Sequence, residues 1–412
     1  MVRTDEKTDV VVVGAGIAGL ACAADLQAAG LRVQVLEASD GVGGRMRSDH
    51  VDGFVIDRGF QVFNTAYPQV RRRLPLRDLR LRPFTPGVQV HTDTGRVALY
   101  DPTRRPDALS GLRRQSVMSP RDAAALGAMS VRDMLLPASV LKRGGERTTL
   151  SALRRAGVSE AFTEDVLRPF VSGIFLEDGL ETSSRVFHLV WRSMLRGTLC
   201  LPPDGIEAVP RTLADGLSEA TVRLRTPVAQ LTDRGVMTAA GTPVSARAVV
   251  VAAGPQAAAA LLPHMDVPPY RSVTTYYHAT APSPLNEPVL IVDAQRRFLN
   301  TCVISEVVPA YAPAQRALVA TSVLGTEAPG RETSTRRALS DVYGTDTSAW
   351  DLVAVRSITH ALPAMAPPHS LSRSSRAGSG RYVCGDHRTT GSVQGAMASG
   401  ARAAREVVQD LA

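Results

Sequence analysis

The sequence predicts an α/β fold: a Rossmann-like dinucleotide-binding domain built from separated stretches, with an inserted α+β domain. Three observations carry this. A β-branched apolar run at residues 10–13 leads into Gly14, Gly16 and Gly19 at G-x-G-x-x-G spacing, with an acid, Glu37, roughly 20 residues further on. A second continuous apolar run, residues 249–253, reads as a buried parallel strand. Near the other end, an apolar run at 382–384 meets Gly385-Asp386, a loop and a stretch with small residues at helical spacing.

Bulk properties narrow the class. At 412 residues and 44% hydrophobic content the chain is long enough for two domains. No run of ~18 apolar residues predicts a membrane-spanning helix. The opening "MVRTDEKTDV" is charged and mixed in sign, without the apolar core or cleavage site of a signal peptide, so a cytoplasmic location is expected. Cys22, Cys200, Cys302 and Cys384 stand in apolar surroundings without a CxxC pair, which predicts buried thiols and no metal site. The net charge is +8, and the only lysines are Lys7 and Lys142. Arginine is spread along the chain, so nucleic acid is not an expected partner. The densest patch, "RRRLPLRDLRLR" at 71–82, alternates leucine with arginine. It reads first as a solvated face and second as a surface for an anionic membrane or acidic partner.

The first sixty residues follow in order. Residues 10–13 suit a strand, 17–29 a helix that stops at Gly30, and 33–36 the next strand with Glu37 at its end. Gly14 permits a tight turn, Gly16 a close backbone approach to a pyrophosphate, and Gly19 close packing of helix on strand. The helix start at Ile17 and Ala18 offers free N–H groups and partial positive charge to phosphates. Glu37 is placed to accept hydrogen bonds from a ribose.

The next residues distinguish cofactors. Glu37-Ala38 followed by Gly43-Gly44-Arg45 resembles the E-A-x-x-x-x-G-G-R fingerprint of the flavin-containing amine oxidase and phytoene desaturase (protoporphyrinogen oxidase-like) superfamily. Two glycines expose backbone N–H groups, and a guanidinium adds a charge-assisted clamp on phosphate. "DGFVIDRGFQVF", residues 52–63, reads as a hairpin and resembles the family segment that runs under the flavin ring, with Asp57, Gly59, Phe60 and Gln61 at the matching places.

The C-terminal stretch resembles the family's last motif. There the resemblance puts Asp386, after Gly385, by the ribityl chain or phosphate. Ser392, Val393, Gln394 and Ala396 lie near the ring, at a helix N-terminus aimed at the pyrimidine carbonyl. "DGIEAVPRTLADGL" at 204–217 resembles a family helix, and Val228 matches a residue that contacts adenine through its backbone. The resemblance implies a discontinuous FAD-binding domain at 1–68, 200–262 and 372–412. Residues 69–199, mostly helical, and 263–371, with strand-like runs, form the substrate-binding domain.

Catalytic side chains are less legible, because a flavin carries the redox chemistry itself. Tyr276, Tyr277, His278 and His360 are the polar candidates of the roof, with His360 best placed. Two departures from the family's amine oxidases count against that activity. The second half of the substrate domain has no lysine, and Ser392 stands where an aromatic cage wall is usual. No cysteine sits where a covalent flavin link would form. The expectation is a noncovalent FAD enzyme, an oxidoreductase that dehydrogenates or desaturates a largely apolar small molecule by hydride transfer to flavin N5. Oxygen or another electron acceptor would complete turnover, and contact with a membrane would be peripheral. The rival readings are a redox-neutral flavin-dependent isomerase, an amine oxidase releasing hydrogen peroxide, and a fold that kept FAD and lost catalysis.

Overall fold

The structure is a computed structural model that describes residues 8–105 and 118–412. Residues 1–7, most of the stretch examined for a signal peptide, lie outside the described residues.

A five-stranded parallel sheet anchors one side, in the order Val222–Arg223, Val33–Leu36, Val10–Val13, Ala248–Val251, Arg381–Val383. Val10, Val11 and Val12 are wholly buried, because helices cover one face of this sheet and another layer covers the other. Burying each valine contributes roughly 1.5–3 kcal/mol. The sequence placed the strands at 10–13 and 33–36 correctly, and the first helix, Ile17–Ala28, ends one residue earlier than predicted. A three-stranded meander, Val228–Thr232, Gly235–Thr238 and Pro243–Ser245, covers one face through Val236 and Val244.

The hairpin predicted over 52–63 falls earlier. Its strands are Ser48–Val51 and Phe54–Asp57. The turn lies at Asp52 and Gly53, whose φ of 48° and 83° are the left-handed pair that a two-residue hairpin turn requires. Gly59 to Val62 then run outside regular structure, beside the roof.

That roof is a seven-stranded sheet: Asp351–Pro363, Tyr270–Thr280, Ala317–Leu324, Asn300–Val303, Leu290–Asp293, Gly87–Thr92, Gly95–Tyr100. The first insertion therefore is not helical throughout; its hairpin 87–100 completes the edge of this sheet. Val88, Val90 and Val97 alternate inward there, a period of two that a helical reading of the insertion overlooks. The described helices of that insertion include Pro120–Leu135, Ala138–Arg143 and Ser184–Arg196. One apolar cluster runs from Val12 and Leu20 through Phe63 and Tyr277 to Cys302, so both sheets share a core.

The patch at 71–82 turns Leu74 and Leu79 inward and leaves most of its arginines outside. Arg73 forms a bidentate pair with Asp25, and Arg80 pairs with Asp204, both at 2.6 Å. All four cysteines are buried and free.

Candidate functional site

Two glycine loops lie against each other at the C-terminal edge of the parallel sheet. Gly14 has φ 106°, and a Cβ there would sit 2.9 Å from the Ala252 carbonyl oxygen. A Cβ on Gly19 would fall 2.1 Å from the Gly14 carbonyl oxygen, so the helix Ile17–Ala28 can start this close to its turn only without one. Gly43 donates its N–H to the Ala15 carbonyl at 2.9 Å, and Gly44 packs on the Gly16 Cα. Gly16 itself differs: no atom lies within 4 Å of where its Cβ would be. The cradle is therefore open above Gly16, beside the start of the helix that carries Ile17 and Ala18, whose first N–H groups no side chain caps.

Glu37 sits at the rim of this cradle. One carboxylate oxygen accepts from the Ala15 N–H at 2.7 Å, and the other from the Ser39 N–H and hydroxyl at 2.9 and 2.7 Å. Ala38 is exposed beside it. The segment leading to Val228 passes here too, since Thr226 donates its N–H to the Glu37 carbonyl at 2.8 Å.

A second convergence joins the two ends of the chain. Arg45 forms an ion pair with Asp386 at 2.6 Å and donates to the Ala361 carbonyl at 2.6 Å. Gln61 donates its side-chain amide to the Arg45 carbonyl at 2.7 Å. Gly385 has an open φ of 155°, and the His387 ring lies 2.6 Å from where its Cβ would be. Burial pushes the His387 imidazole down to about 4, and its Nε2 is buried without a partner. Gly59 faces Ile358, whose Cγ1 is 3.6 Å from its would-be Cβ, and the Phe60 N–H donates to the Thr275 hydroxyl at 3.2 Å.

The helix Val393–Leu411 begins at the same place. The Ser392 hydroxyl caps it, accepting from the Gly395 N–H at 3.0 Å. Ala396 is buried, and Val393 packs on the shared core. Gln394 turns aside; its Oε1 accepts from the Gln69 N–H at 2.9 Å. This helix lies so close to the first that a Cβ on Gly400 would fall 2.1 Å from the Ala18 carbonyl oxygen. The start of the first helix thus packs against this helix about two turns in from Val393, and each helix start offers its own partial positive charge.

The roof candidates separate. Tyr276 hydrogen-bonds Glu327 and His278 bonds Glu332 at 2.9 Å, both on the side covered by the helix Arg331–Tyr343. Tyr277 points the other way and donates to the Asp57 carbonyl at 2.8 Å. His360 lies one residue from the carbonyl that holds Arg45, and its ring meets the edge of Tyr270 at 5.6 Å.

Tyr270 was not a sequence candidate. Its hydroxyl is buried without a protein partner, and burial raises its pKa well above the usual phenol range, with the Asp386 charge adding to the rise. The sheet shifts register between Arg271 and Val273, so the side-chain alternation along the strand from Tyr276 does not extend to it. Asp57 gave a clearer signal, as an acid ending an apolar strand. It accepts from Ser48, from the Ile206 N–H and from Tyr311 at 2.6, 3.0 and 3.2 Å, and burial pushes it up to about 6.

The open cradle, the two helix starts, and the unpartnered Tyr270 hydroxyl and His387 Nε2 beside Arg45–Asp386 fit a ligand that carries phosphates and hydrogen-bonding ring atoms. Known proteins agree on the family. The sequence profile of the flavin containing amine oxidoreductases matches residues 17–408. A protoporphyrinogen oxidase 2 from Arabidopsis thaliana is 45% identical over 73 residues, 18% of this chain and 14% of that protein. A hydroxyneurosporene desaturase from Rhodobacter capsulatus is 53% identical over 53 residues, 13% of this chain and 11% of that protein. These matches thus span less than a fifth of either relative's length. Cyclohexylamine oxidase from Brevibacterium oxydans shares the fold over 98% of this chain and 99% of its own, at 17% identity and a TM-score of 0.67. Matched along nearly its whole length by that profile, this chain belongs to the flavin containing amine oxidoreductase family.

Proposed function

We propose that the chain binds FAD noncovalently and oxidises a largely apolar small molecule by dehydrogenation or desaturation. When bound, FAD supplies a two-electron acceptor at its N5. The observation that carries the reading is the meeting of the glycine cradle with the Arg45–Asp386 pair beneath an apolar roof.

In this reading the helix start at Gly16, Ile17 and Ala18 holds the pyrophosphate, with Gly43, Gly44 and Arg45 adding donors. Glu37 holds the adenosine ribose, with Ala38 beside it and the Val228 backbone facing the adenine. Gly59, Phe60 and Gln61 lie along the ring, and Gly385 and Asp386 along the ribityl chain. The helix start at Ser392, Val393 and Ala396 stabilises the charge that gathers on the pyrimidine carbonyl on reduction. Residues 1–68, 200–262 and 372–412 form the FAD-binding domain, and 69–199 with 263–371 the substrate domain.

Several observations support an apolar substrate over an amine. Leu362 and Ile358 pack over Gly391 and Gly59. Ser392 spends its hydroxyl on its own helix, and lysine is absent from all of 263–371. The Rhodobacter capsulatus relative is a desaturase by name. His360 and Tyr270 are the polar groups offered to the substrate, orienting it over the ring.

The test is anaerobic mixing of the FAD-loaded protein with conjugated polyenes, isoprenoids, protoporphyrinogen and amines. Bleaching of the oxidised flavin band by one of the first three supports the proposal. Bleaching by amines alone, followed by peroxide release once oxygen is readmitted, indicates an amine oxidase. Turnover that needs prereduced flavin and yields no net oxidation indicates an isomerase, and either result overturns the reading.

A further inference from the structure

The helices Pro120–Leu135 and Ala138–Arg143 lie away from the cradle and carry a surface that the oxidoreductase site does not use. The inner side of the first is well partnered. Ser130 accepts from the Trp191 indole N–H at 3.0 Å, and Asp133 bonds His188 and Arg132 at 2.7 and 2.6 Å. Met129 is buried on the same side. The opposite side is apolar. Val131 and Leu135, four residues apart and so on one stripe, are 51% and 71% exposed; Val140, on the next helix, is 48% exposed. These are the three most exposed large apolar side chains among the described residues, and they fall within ten positions of each other.

Charge is sorted just as sharply. The only acids between residues 120 and 145 are Asp122 and Asp133, and both are buried and consumed by internal hydrogen bonds. The exposed charges are Arg121, Arg132, Lys142 and Arg143, all positive. On a helix of 3.6 residues per turn, Arg121 and Arg132 both fall along one side of the Val131–Leu135 stripe. A soluble helix normally turns its apolar stripe inward and mixes charge signs outside. Here a second apolar stripe, rimmed by one sign of charge, faces solvent.

We infer that this two-helix face docks on the surface of an anionic lipid bilayer, with Val131, Leu135 and Val140 entering the interface and Arg121, Lys142 and Arg143 meeting the headgroups. Three apolar side chains are too few for the core of a stable protein interface, whereas shallow insertion backed by cationic flanks suffices for a bilayer. The net charge of +8 acts in the same direction. The face differs from the patch at 71–82, whose leucines point inward.

The test is flotation of the full-length flavoprotein with vesicles of phosphatidylcholine alone and of equimolar phosphatidylcholine and phosphatidylglycerol. The wild type is expected to float only with the anionic vesicles, and less so as salt is raised. The pairs Val131→Asp with Leu135→Asp, and Lys142→Glu with Arg143→Glu, should each lower partitioning by about tenfold. Flavin content and melting temperature should be unchanged, as the sites are exposed. Arg77→Glu with Arg82→Glu in the other patch should leave partitioning intact. The inference fails if the wild type does not float with anionic vesicles, if flotation survives the aspartate pair, or if only the Arg77 and Arg82 changes abolish it. It also fails if Leu135→Asp dissociates a homodimer in solution, which would make the face a protein interface.

Discussion

Glu37 shows how much one side chain carries. Its carboxylate already holds the Ala15 N–H and Ser39, so it shapes the turn as well as facing the proposed ribose site. Glu37→Ala should weaken FAD binding by about 1–3 kcal/mol, roughly ten- to a hundredfold, read as the apparent Kd on refilling apoprotein. A variant that purifies as fully yellow as the wild type would sink the assignment. Asp57 makes a prediction about pH. An unfolded aspartate ionises near 3.8, whereas burial holds this one protonated to about 6. Between those values the folded state binds more protons, so this group's contribution to stability falls as pH rises and is fully lost above about pH 6. Asp57→Asn cannot ionise and should remove that loss, on the order of 3 kcal/mol across the window. Urea melts of wild type and variant at a series of pH values measure it, and a difference that stays constant with pH overturns it. Tyr270 marks the limit of residue-level reading: its position beside Arg45 depends on a register shift that no local sequence pattern announces.

At the scale of elements, glycine positions separate packing from binding. Gly400→Ala places a methyl 2.1 Å from backbone of the first helix, and backbone cannot yield as a side chain can. The two helices should part, costing about 1–3 kcal/mol of stability and lowering FAD retention. Gly16→Ala meets nothing within 4 Å and keeps an ordinary φ of −68°. Apoprotein carrying it should melt like wild-type apoprotein yet bind FAD at least tenfold more weakly, since the methyl enters the place proposed for a phosphate. Equal loss of apoprotein stability in both variants would show that Gly16 serves packing alone. The element boundaries legible in the sequence are those with strong local causes. The strand at 10–13 is all valine, and the helix after it starts at a glycine turn. The hairpin at 48–57 was displaced because its turn is Asp52-Gly53, while apolar alternation continues past it to Phe63. The strand Asp351–Pro363 has mixed polarity and a shifted register, and nothing local marks it as a strand.

Across the whole molecule, the cradle takes its parts from residues near 14, 43, 226 and 386, and the shared core ties both sheets together. A ligand that spans such pieces binds only the folded chain. Adding FAD at about 100 times its Kd to apoprotein should therefore stabilise it by ~2.7 kcal/mol, with a single cooperative transition shifted upward. Calorimetry that shows part of the chain melting at an unchanged temperature would mean that FAD binds one lobe independently of the other. By itself the sequence determined the α/β class, the glycine cradle with its acid, and the kinship carried by Gly43-Gly44-Arg45 and Gly385-Asp386. Those features are local, since a turn, a helix start or a strand is written in neighbouring residues. Only the tertiary structure decided that Arg45 meets Asp386, that Tyr270 rather than Tyr276 faces them, and that Gln394 turns to Gln69. It also decided that Val131 and Leu135 face solvent while Asp133 does not. Such pairings depend on sheet register and helix rotation across hundreds of residues, and packing of the whole chain sets both.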